Sequence, residues 1–546
     1  MVPRPSLARP EPPVAGSPWP VASVWPVAHG LLSTSEDDQT NPGLRRYNSN
    51  MVFDHDVCYR AVVSRDRRFD GRFFTGVLST GVYCRPICPA RTPQKQNVRF
   101  FPCAAAAEEA GFRPCRRCRP ETSPGTPAWL GTSATVSRAL RLIMTGALDG
   151  AGVDGLADRL GIGARHLRRL FVEHLGASPA AIARTRRVHF ARKLIDETDL
   201  PMAQVALSAQ FASVRRFNAA VRVAFGSTPT ELRHHARGGT ASPHGADIVL
   251  QLPFRRPYQW DAILGFLAAR AIPGVEEVGT TYYRRTIEVD RAKGVIEIGH
   301  VAGRDALRLR VRLSEAGDLS RIVARVRRMF DLDADPLEIA ARLRPDPLLA
   351  PLVAVLPGVR VPGAWDPFEI TIRAILGQQV SVRAATTLSG RLVKRYGEPL
   401  TNGVDGCLSL FPSPRVLAEA DLATIGLPRA RAETIRRIAS AVGGGVLSFD
   451  ALTGLEDAVE RLTAVRGIGP WTAQYVAMRA LGEPDAFPAS DLGLLAAASG
   501  KANRIRPAEL LRRAERWRPW RAYAAVLLWQ SLSATAGNVN ARKGKP

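Results

Sequence analysis

Apolar and polar residues alternate along four short stretches near the middle of the chain. These are IVLQLPF, TTYYRRTIEV, KGVIEIGHV and ALRLRVRL, all between residues 248 and 313. A period of two is typical of half-buried strands. The pattern predicts an antiparallel sheet with the apolar segment WDAILGFLAARA (260–271) packed on it as a helix. From Asp366 onward helical spacing dominates, which predicts a mainly helical region.

Two helix-turn-helix patterns precede the predicted sheet. The first, VDGLADRLGIGARHLRRLFVEHLG (153–176), and the second, PMAQVALSAQFASVRRFNAAVRVAFG (201–226), both run into G-x-(S/T)-P, as GASP and GSTP. A generic helical bundle with solvated arginines is the alternative, but two copies that recur in register favour a tandem DNA-binding unit. The second helix of each copy carries the candidate DNA contacts Arg165, Arg169, Arg215 and Arg216.

Four cysteines form two close pairs near the start of the foldable sequence. Three residues separate Cys84 from Cys88, and two separate Cys115 from Cys118. Two such pairs supply the four soft ligands that tetrahedral zinc requires, so the spacing predicts one zinc ion on four thiolates. A purely structural zinc site is the alternative, and spacing alone favours it. Arginines surround the pairs, and Arg85 is a candidate DNA contact because it adjoins Cys84.

Composition narrows the class of protein. A chain of 546 residues is too long to fold around a single hydrophobic core, so we expect several domains. The formal charge of +25 predicts a nucleic acid or another acidic partner, and an extracellular basic protein is the alternative. Seven cysteines, an odd number, argue for a reducing compartment. Cys58 and Cys103 lie outside the pairs, and we interpret them as ordinary semi-buried residues. No apolar stretch predicts a membrane span.

A glycine turn with nearby aromatic residues lies in the helical region. The segment LTAVRGIGPWTAQYVAMRALGEPDAFPASDLGLL (462–495) contains the turn residues Gly467, Ile468 and Gly469. Exposed amides at the start of the following helix can hold a DNA phosphate. Trp471 and Tyr475 share one face of that helix, and Asp491 follows. The alternative is that both aromatics belong to the core and that Asp491 caps a helix.

The cysteine segment, VYCRPICPARTP followed by GFRPCRRC, resembles the zinc domain of Ada-type proteins, which repair methylphosphotriesters in DNA. The resemblance covers residues 55–120. It implies that Cys84 accepts the methyl group and that Cys88, Cys115 and Cys118 complete the zinc site. The two helix-turn-helix patterns resemble an AraC-type DNA-binding domain over about residues 130–237. Such a regulator is expected to bind promoter DNA and to contact RNA polymerase.

The last half of the chain, from about 248 to 535, resembles helix-hairpin-helix DNA glycosylases of the 3-methyladenine glycosylase II (AlkA) type. The resemblance rests on PYQWDAILGFLAARA, DPFEITIRAILGQQVSV and WRPWRAYAAVLLW besides the glycine-turn segment. It implies that Asp491 is the catalytic carboxylate. It assigns the aromatic base pocket to Trp471, Tyr475, Phe266 and Trp529. Gln379 stands where relatives can carry an apolar wedge, and Leu492 replaces an aromatic residue beside the aspartate.

Three absences in the sequence refine the expected chemistry. No lysine lies between Arg466 and Asp491, whereas related bifunctional enzymes carry a Schiff-base lysine at about the position of Trp471. We therefore expect a monofunctional glycosylase without lyase chemistry. No cysteine follows Cys407, which excludes the four-cysteine iron–sulfur cluster of some relatives. A Pro-Cys-His-Arg run is also absent, so direct O6-alkylguanine repair is not expected.

These patterns predict a multidomain α+β protein. We expect a small four-cysteine zinc α/β domain, an all-α double helix-turn-helix domain, an antiparallel-sheet α+β domain and an all-α helix-hairpin-helix domain. The predicted boundaries are a disordered tail at 1–50, the zinc domain at 51–121, the helix-turn-helix domain at 130–237, a linker at 238–247, the glycosylase N-terminal domain at 248–360 and the helix-hairpin-helix domain at 361–540. A further linker is expected at 122–129.

The predicted function is alkylation repair combined with regulation of the adaptive response, in the cytoplasm of a bacterium and at its nucleoid. Double-stranded DNA is the expected partner, one zinc ion the expected cofactor, and the chain is expected to be a monomer. One alternative is a transcription regulator with structural zinc and a non-catalytic C-terminal scaffold. Another is a glycosylase with a DNA-tethering arm.

Overall fold

The computed structural model describes residues 54–124, 134–148, 152–236, 247–289, 292–313, 319–404, 406–452, 454–499 and 505–543. The predicted tail and most of both predicted linkers lie outside the described residues. The described chain contains a cysteine-rich part with a small sheet, an all-helical part, a part built on a larger antiparallel sheet, and a second helical part. This architecture confirms the predicted fold class.

The cysteine-rich part is built around a four-stranded sheet. Its elements are α1 (His55–Val63), β1 (Phe74–Val77), β2 (Val82–Cys84), β3 (Val98–Phe101), α2 (Ala104–Glu109) and β4 (Arg113–Pro114). The strands lie in the order β3-β1-β2-β4, and only β2 and β4 run parallel. Gly76 of β1 has to be glycine because a Cβ there would lie 2.7 Å from the ring of Phe101.

A set of helices forms the all-helical part that follows. They are α3 (Ala134–Met144), α4 (Gly152–Arg159), α5 (Ala164–Leu175), α6 (Pro179–Glu197), α7 (Met202–Ser208), α8 (Val214–Phe225) and α9 (Pro229–Ala236). Helices α5 and α8 both end at a glycine in the left-handed region, Gly176 and Gly226. The long helix α6 begins at Pro179 behind the capping hydroxyl of Ser178 and joins the two copies.

The larger sheet has the strand order β5-β9-β8-β7-β6, and all its pairs are antiparallel. Its elements are β5 (Ile248–Pro253), α10 (Trp260–Ala268), β6 (Glu276–Val278), β7 (Tyr282–Val289), β8 (Ala292–His300), β9 (Ala306–Leu313) and α11 (Leu319–Met329). All four stretches with alternating residues thus form strands, and the predicted helix packs with them in one hydrophobic core. Strand β6 was not predicted.

The second helical part continues to the end of the described chain. Its elements are α12 (Pro336–Leu343), α13 (Ala350–Val355), α14 (Pro367–Leu376), α15 (Val382–Tyr396), β10 (Glu398–Val404), β11 (Cys407–Leu410), α16 (Pro414–Glu419), α17 (Arg429–Gly443), α18 (Leu455–Thr463), α19 (Pro470–Arg479), α20 (Leu492–Ala498), α21 (Pro507–Ala514) and α22 (Arg521–Lys543). One continuous hydrophobic core joins these helices. Within the described residues, none of the helices combines the length and hydropathy needed to cross a membrane.

Helix α6 covers the edge of the larger sheet. The backbone N–H of Gln251 in β5 donates to Glu197 Oε2 at 2.9 Å, and its carbonyl oxygen accepts from Lys193 Nζ. Buried residues of the first helical part, including Val188 and Leu194, belong to the same hydrophobic cluster as Leu250 of β5. The first helical part and the sheet therefore pack against each other, and the backbone groups of Gln251 on the edge strand β5 are satisfied by α6.

Candidate functional site

The four paired cysteines converge at one end of the small sheet. Strand β2 ends at Cys84, and its parallel pairing with β4 places Cys115 beside it. The turns that follow return Cys88 and Cys118 to the same point. The four sulfur atoms lie within 4.8 Å of one another, and about 3.8 Å is expected between thiolates on one tetrahedral zinc ion. Four thiolates this close together fit zinc and no harder metal.

The cysteines outside this cluster are of a different kind. Cys58 and Cys103 are buried among apolar residues, and burial raises the pKa of each thiol to about 12. Both thiols therefore stay protonated and unreactive at neutral pH.

Arg85, the predicted DNA contact next to Cys84, faces the protein interior. Its Nε donates to Asp70 Oδ1 at 2.8 Å, and its NH1 donates to Thr122 Oγ1 at 2.8 Å. Burial alone would lower the pKa of Arg85, but the hydrogen bond and charge of Asp70 outweigh it and raise this pKa. The side chain is 14% exposed. A direct DNA contact would require Arg85 to leave Asp70, so that role stays a prediction.

Two other arginines near the cysteines connect the cysteine-rich part to the all-helical part that follows it. Arg116, between Cys115 and Cys118, donates from NH2 to the carbonyl oxygen of Phe225 at 2.8 Å and to Ser227 Oγ at 3.0 Å. These acceptors lie at the end of α8. Arg119 forms an ion pair with Asp196 of α6. The loop that carries two zinc ligands thus holds the C-terminal end of the second candidate recognition helix.

A buried polar cluster makes a second connection between these parts. The hydroxyl of Tyr83, one residue before Cys84, donates to Glu108 Oε1 at 2.9 Å. His189 of α6 lies 3.3 Å from the same carboxylate oxygen through Nε2. Burial would lower the pKa of His189, but Glu108 raises it above its ordinary value. Burial would raise the pKa of Glu108, but His189 outweighs burial and lowers it.

The two candidate recognition helices show the same pattern of burial. Leu167 and Phe171 of α5 are buried, as are Phe217 and Val221 of α8. All four predicted contacts lie exposed on the opposite faces, namely Arg165, Arg169, Arg215 and Arg216. Their placement fits a pair of DNA-reading helices, and the individual contacts stay predictions.

The glycine turn between α18 and α19 is compact. Gly467 has φ +100°, and a Cβ there would overlap Thr434 Oγ1, so only glycine fits. The side chain of Ile468 is buried, and its backbone N–H donates to the carbonyl oxygen of Val465 at 3.0 Å. Ile468 therefore supports the turn from inside, and its DNA contact stays a prediction. Gly469 precedes α19 without any side-chain cap, which leaves the first amides of this helix for an anion.

The four predicted pocket aromatics come together in space. The rings of Trp471 and Tyr475 stack at 5.5 Å between centres and 14° between planes. Trp529 of α22 lies 6.2 Å from Tyr475 and 6.4 Å from Phe266 of α10. The rings therefore form a continuous wall at the junction of the sheet part and the second helical part.

Asp491 is bound to this aromatic wall. Its Oδ2 accepts the indole N–H of Trp471 at 2.9 Å, and its Oδ1 accepts that of Trp529 at 2.9 Å. Oδ1 also accepts the backbone N–H of Leu494 at 3.0 Å, so Asp491 caps α20 as well. The alternative of a helix cap and the predicted site role are thus compatible. These N–H donors hold the carboxylate in a fixed orientation beside the pocket, and Gly493 leaves room for it, since a Cβ there would lie 3.0 Å from Oδ1.

Sequence reasoning missed two arginines of this pocket. The guanidinium carbon of Arg270 lies 3.7 Å from the ring centre of Phe266. That of Arg479 lies 4.8 Å from the same ring, and its NH1 donates to the hydroxyl of Tyr475 at 2.6 Å. Each arginine follows a pocket aromatic by four residues on the same helix face or its extension. This four-residue spacing after a predicted pocket aromatic is the sequence signal that could have placed both arginines at the pocket.

Gln379, at the predicted wedge position, lies in the exposed turn between α14 and α15. Its backbone is left-handed, with φ +56°. The side chain of Gln378 donates to the carbonyl oxygen of Gly467 and to Thr472 Oγ1, both at 3.1 Å, which ties this turn to the glycine turn. The wedge role stays a prediction. Leu492, beside Asp491, is 81% exposed.

A separate crevice of about 1040 Å³ lies where α3 and α6 face the larger sheet, α11 and the second helical part. Arg138 and Arg328 line it, whereas none of the four pocket aromatics does. Its size reflects the packing of four parts around one point, and it is distinct from the aromatic site.

Comparison with known proteins assigns each part of the chain to a family. The model described as the metal binding domain of Ada matches residues 57–121, and a helix-turn-helix domain model matches 156–235. The AlkA N-terminal domain model matches 249–366. The model of the HhH-GPD superfamily base excision DNA repair proteins matches 372–521. Together with the cysteine geometry, the first match confirms a zinc ion held by Cys84, Cys88, Cys115 and Cys118.

Curated relatives show the same combination of parts. A Mycobacterium tuberculosis protein, "Probable bifunctional transcriptional activator/DNA repair enzyme AlkA", is 45% identical over 88% of this chain and 97% of its own length. "DNA-3-methyladenine glycosylase 2" of Escherichia coli is 36% identical over 51% of this chain and 95% of its own length. "Bifunctional transcriptional activator/DNA repair enzyme AdaA" of Bacillus subtilis is 29% identical over 33% of this chain and 84% of its own length. The resemblances inferred from sequence are confirmed, and the chain belongs to the family of bifunctional transcriptional activator/DNA repair enzymes that join an Ada-type zinc domain and a helix-turn-helix domain to an AlkA-type glycosylase domain.

Proposed function

We propose that this protein excises alkylated purines from DNA with Asp491, accepts methyl groups from DNA methylphosphotriesters on Cys84, and regulates transcription through its helix-turn-helix domain. The observation that carries the proposal is the pair of indole hydrogen bonds that fixes Asp491 beside four aromatic rings. The domain boundaries inferred from sequence are part of the proposal. So are a monomeric state, a contact with RNA polymerase and a location at the bacterial nucleoid.

Base excision requires the damaged base to leave the duplex and enter the aromatic pocket. The C1′–N bond then breaks with both electrons on the base, and positive charge develops on the sugar. The Asp491 carboxylate stabilises that charge and orients the water that adds to C1′. The products are a free base and an intact strand with an abasic site. The lack of lysine between Arg466 and Asp491 supports this monofunctional course.

Methyl acceptance requires a nucleophilic thiolate at the end of β2. Zinc, when bound, keeps the four cysteine ligands deprotonated at neutral pH. The sulfur of Cys84 attacks the methyl carbon of the triester as the carbon–oxygen bond breaks, and the electron pair stays on the phosphate oxygen. A thioether forms, a phosphodiester anion is released, and the cysteine set loses one negative charge. Tighter binding of promoter DNA is the expected result of that loss.

A crossed pair of variants tests both activities in the full-length protein. Asp491→Asn should lower release of free base from methylated duplex DNA by about a hundredfold or more while leaving methyl uptake intact, because it removes transition-state charge stabilisation only. Cys84→Ser should abolish methyl uptake and keep base release. Glu419→Gln, an exposed acid, and Cys58→Ser, a cysteine outside the zinc set, are the matched controls.

Two results would contradict these assignments. Near wild-type base release by Asp491→Asn would refute the role of the carboxylate, and a borohydride-trapped covalent adduct with DNA would refute the monofunctional course. Methyl uptake by Cys84→Ser would refute the acceptor assignment and favour a purely structural zinc ion.

A further inference from the structure

The crevice between the first helical part and the sheet part is lined by arginines from both. Arg138 and Arg141 come from α3, and Arg325 and Arg328 come from α11. Its volume of about 1040 Å³ is large enough to hold a molecule the size of a nucleotide. None of the four aromatic rings of the base pocket lines the crevice, so a ligand bound there would not occupy the place of the excised base.

Arg138 is buried without a full set of hydrogen-bond partners. Its residue is only 8% exposed, and its NH1 nitrogen has no hydrogen-bond partner among the described residues. The carboxylate of Glu483 acts on Arg138 through space, but it is already paired with Arg141 at 2.6 Å. Burial lowers the pKa of Arg138 to about 10. A guanidinium in this position destabilises the fold, and a bound anion would offset that cost.

Arg328 on α11 is in a similar position. Its Nε nitrogen is buried and has no hydrogen-bond partner in the described part of the chain. Burial lowers the pKa of Arg328 to about 10, and the positive charges of Arg325 and Arg141 act in the same direction. Arg141 also lowers the pKa of Arg138, so its charge reaches both residues. Arg138, Arg141 and Arg328 therefore form one group, here called the basic cluster.

The acidic residues whose charges reach the basic cluster have other roles. Asp366 accepts the backbone N–H of Glu369 at 2.9 Å and caps α14. Asp457 pairs with Arg461 at 2.6 Å, and Asp450 is exposed. Within the described chain, none of these three carboxylates forms an ion pair with the basic cluster.

The arrangement selects a ligand with several anionic groups. A guanidinium matches the oxygens of a phosphate group with two parallel N–H donors, and it does so best where water is partly excluded. The two nitrogens that lack a partner belong to separate helices, α3 and α11. One anionic group can satisfy one of them, whereas a chain of phosphate groups can reach both within the volume of the crevice.

We propose that the basic cluster is a binding site for an oligophosphate anion, either inorganic or carried by a nucleoside, that bridges α3 and α11. Arg141 is also anchored to the second helical part, through the carbonyl oxygen of Gly482 at 3.0 Å and through Glu483. The bound anion therefore links the first helical part to both halves of the glycosylase region. This binding depends neither on base excision nor on methyl uptake.

The test is a calorimetric titration of the zinc-loaded, full-length protein with tripolyphosphate, ATP and AMP. Tripolyphosphate and ATP should bind, and AMP should bind at least about tenfold more weakly because it carries one phosphate. Tighter binding of ATP than of tripolyphosphate would identify a nucleotide as the ligand, and equal binding would identify the phosphate chain alone. Arg138→Met and Arg328→Met should each weaken the binding of tripolyphosphate by at least about tenfold. Arg512→Met removes an exposed charge outside the crevice and should leave the affinity unchanged.

Melting temperatures separate a ligand site from a structural role. Without ligand, Arg138→Met should keep or raise Tm, because it removes a buried nitrogen that has no partner. With tripolyphosphate at about ten times its Kd, the wild type should gain at least about 2 °C, and Arg138→Met should gain almost nothing at the same concentration.

Four results would overturn the proposal. The first is a wild type that binds neither tripolyphosphate nor ATP at about 1 mM. The second is an unchanged affinity in both Arg138→Met and Arg328→Met. The third is displacement of tripolyphosphate by unmethylated duplex DNA, which would place the anion on the DNA-binding surface. The fourth is a lower Tm of ligand-free Arg138→Met, which would show that Arg138 stabilises the fold by itself.

Discussion

The zinc centre and the base pocket use arginine in opposite ways. At the zinc centre, Arg85 and Arg119 are paired with the carboxylates of Asp70 and Asp196. At the base pocket, Arg270 and Arg479 lie against aromatic rings without a carboxylate partner in the described chain. The ion pair of Arg119 connects two structural parts, and that of Arg85 stabilises the cysteine-rich part, whereas unpaired arginines set the electrostatic character of a site.

The two sites also differ in how they are assembled. All four zinc ligands come from one segment of 35 residues, Cys84 to Cys118, and from the ends of two neighbouring strands. The pocket collects Phe266 from the sheet part and Trp471, Tyr475, Asp491 and Trp529 from three separate elements of the second helical part. The geometry of the zinc centre therefore depends on its metal. The geometry of the pocket depends on how the sheet part and the second helical part are held together.

Removal of zinc should produce the largest difference between the activities of the two sites. A chelator should abolish methyl uptake and unfold the cysteine-rich part, because folding of so small a unit depends on a metal whose apparent binding free energy is roughly 10–16 kcal/mol. Base release should change by no more than about twofold, because the pocket takes no residue from the cysteine-rich part. Proteolytic sensitivity and base release, measured on the same sample, check this. Parallel loss of both activities would contradict it.

Isolation of the glycosylase should have the next largest effect. A fragment of residues 247–546 leaves the backbone groups of Gln251 on β5 without Lys193 and Glu197, and it removes Val188 and Leu194 from the hydrophobic cluster that contains Leu250. We expect Tm to fall by roughly 5–10 °C, since each exposed large side chain costs about 1.5–3 kcal/mol. Self-association through the free edge of β5 is expected as well.

A fragment that begins at residue 179 is the matched control, because it keeps α6. It should recover most of the lost Tm and remain monomeric. Equal melting temperatures for the two fragments would show that α6 does not stabilise the sheet.

The loop between Cys115 and Cys118 should transmit the methylation signal to α8. Arg116→Ala removes its hydrogen bonds to Phe225 and Ser227, and it should reduce the gain in promoter affinity that follows methylation of Cys84 by about 0.5–1.5 kcal/mol. Arg117→Ala, an exposed neighbour, is the control. The measurement is the ratio of affinities before and after methylation. The same ratio in both variants would remove Arg116 from the connection.

The smallest expected effect concerns pH. The pKa of His189 is raised above its ordinary value of 6.5 by Glu108, so its stabilising contribution is present below pH 6.5 and is lost as pH rises through the raised pKa. The pKa of Glu108 is lowered from 4.5, so its contribution is present above pH 4.5 and is lost as pH falls through the lowered pKa. One titrating histidine changes stability by at most about 1.4 kcal/mol per pH unit.

His189→Gln should therefore flatten the pH dependence of Tm above pH 6.5. The control His234→Gln changes an exposed histidine and should leave that dependence unaltered. An unaltered pH profile in His189→Gln would show that another group titrates there.

Residue patterns predicted much of the fold because they depend on neighbours in the chain. The alternating stretches became β5, β7, β8 and β9, and the recurring GASP and GSTP motifs became the ends of two equivalent helices. Short elements with weak patterns, such as β6 and the β10–β11 hairpin, were missed. Their formation depends on strands and helices distant in sequence.

The outcome for individual site residues follows the same rule. The zinc ligands were predicted because two close pairs of cysteines constrain each other locally. Arg85 and Ile468 were assigned to DNA from their position beside a motif, and those contacts stay predictions. What the motif did not contain is the direction of the two side chains, which point toward Asp70 and the core respectively. The direction of a side chain is decided by what packs against it, which spacing along the chain does not contain.

The sequence by itself determined the four parts, through periodicity and motifs, and the zinc ligands, through the spacing of two cysteine pairs. The aromatic residues and the aspartate of the pocket were predicted from motifs that resemble a known family. Only the tertiary structure decided the charge of the pocket and the coupling of the parts. Arg270, just after α10, and Arg479, at the end of α19, reach one ring from two separate segments, and Arg116 reaches α8 from another part of the chain. Electrostatic fields depend on distance through space, so they appear only once the chain has folded.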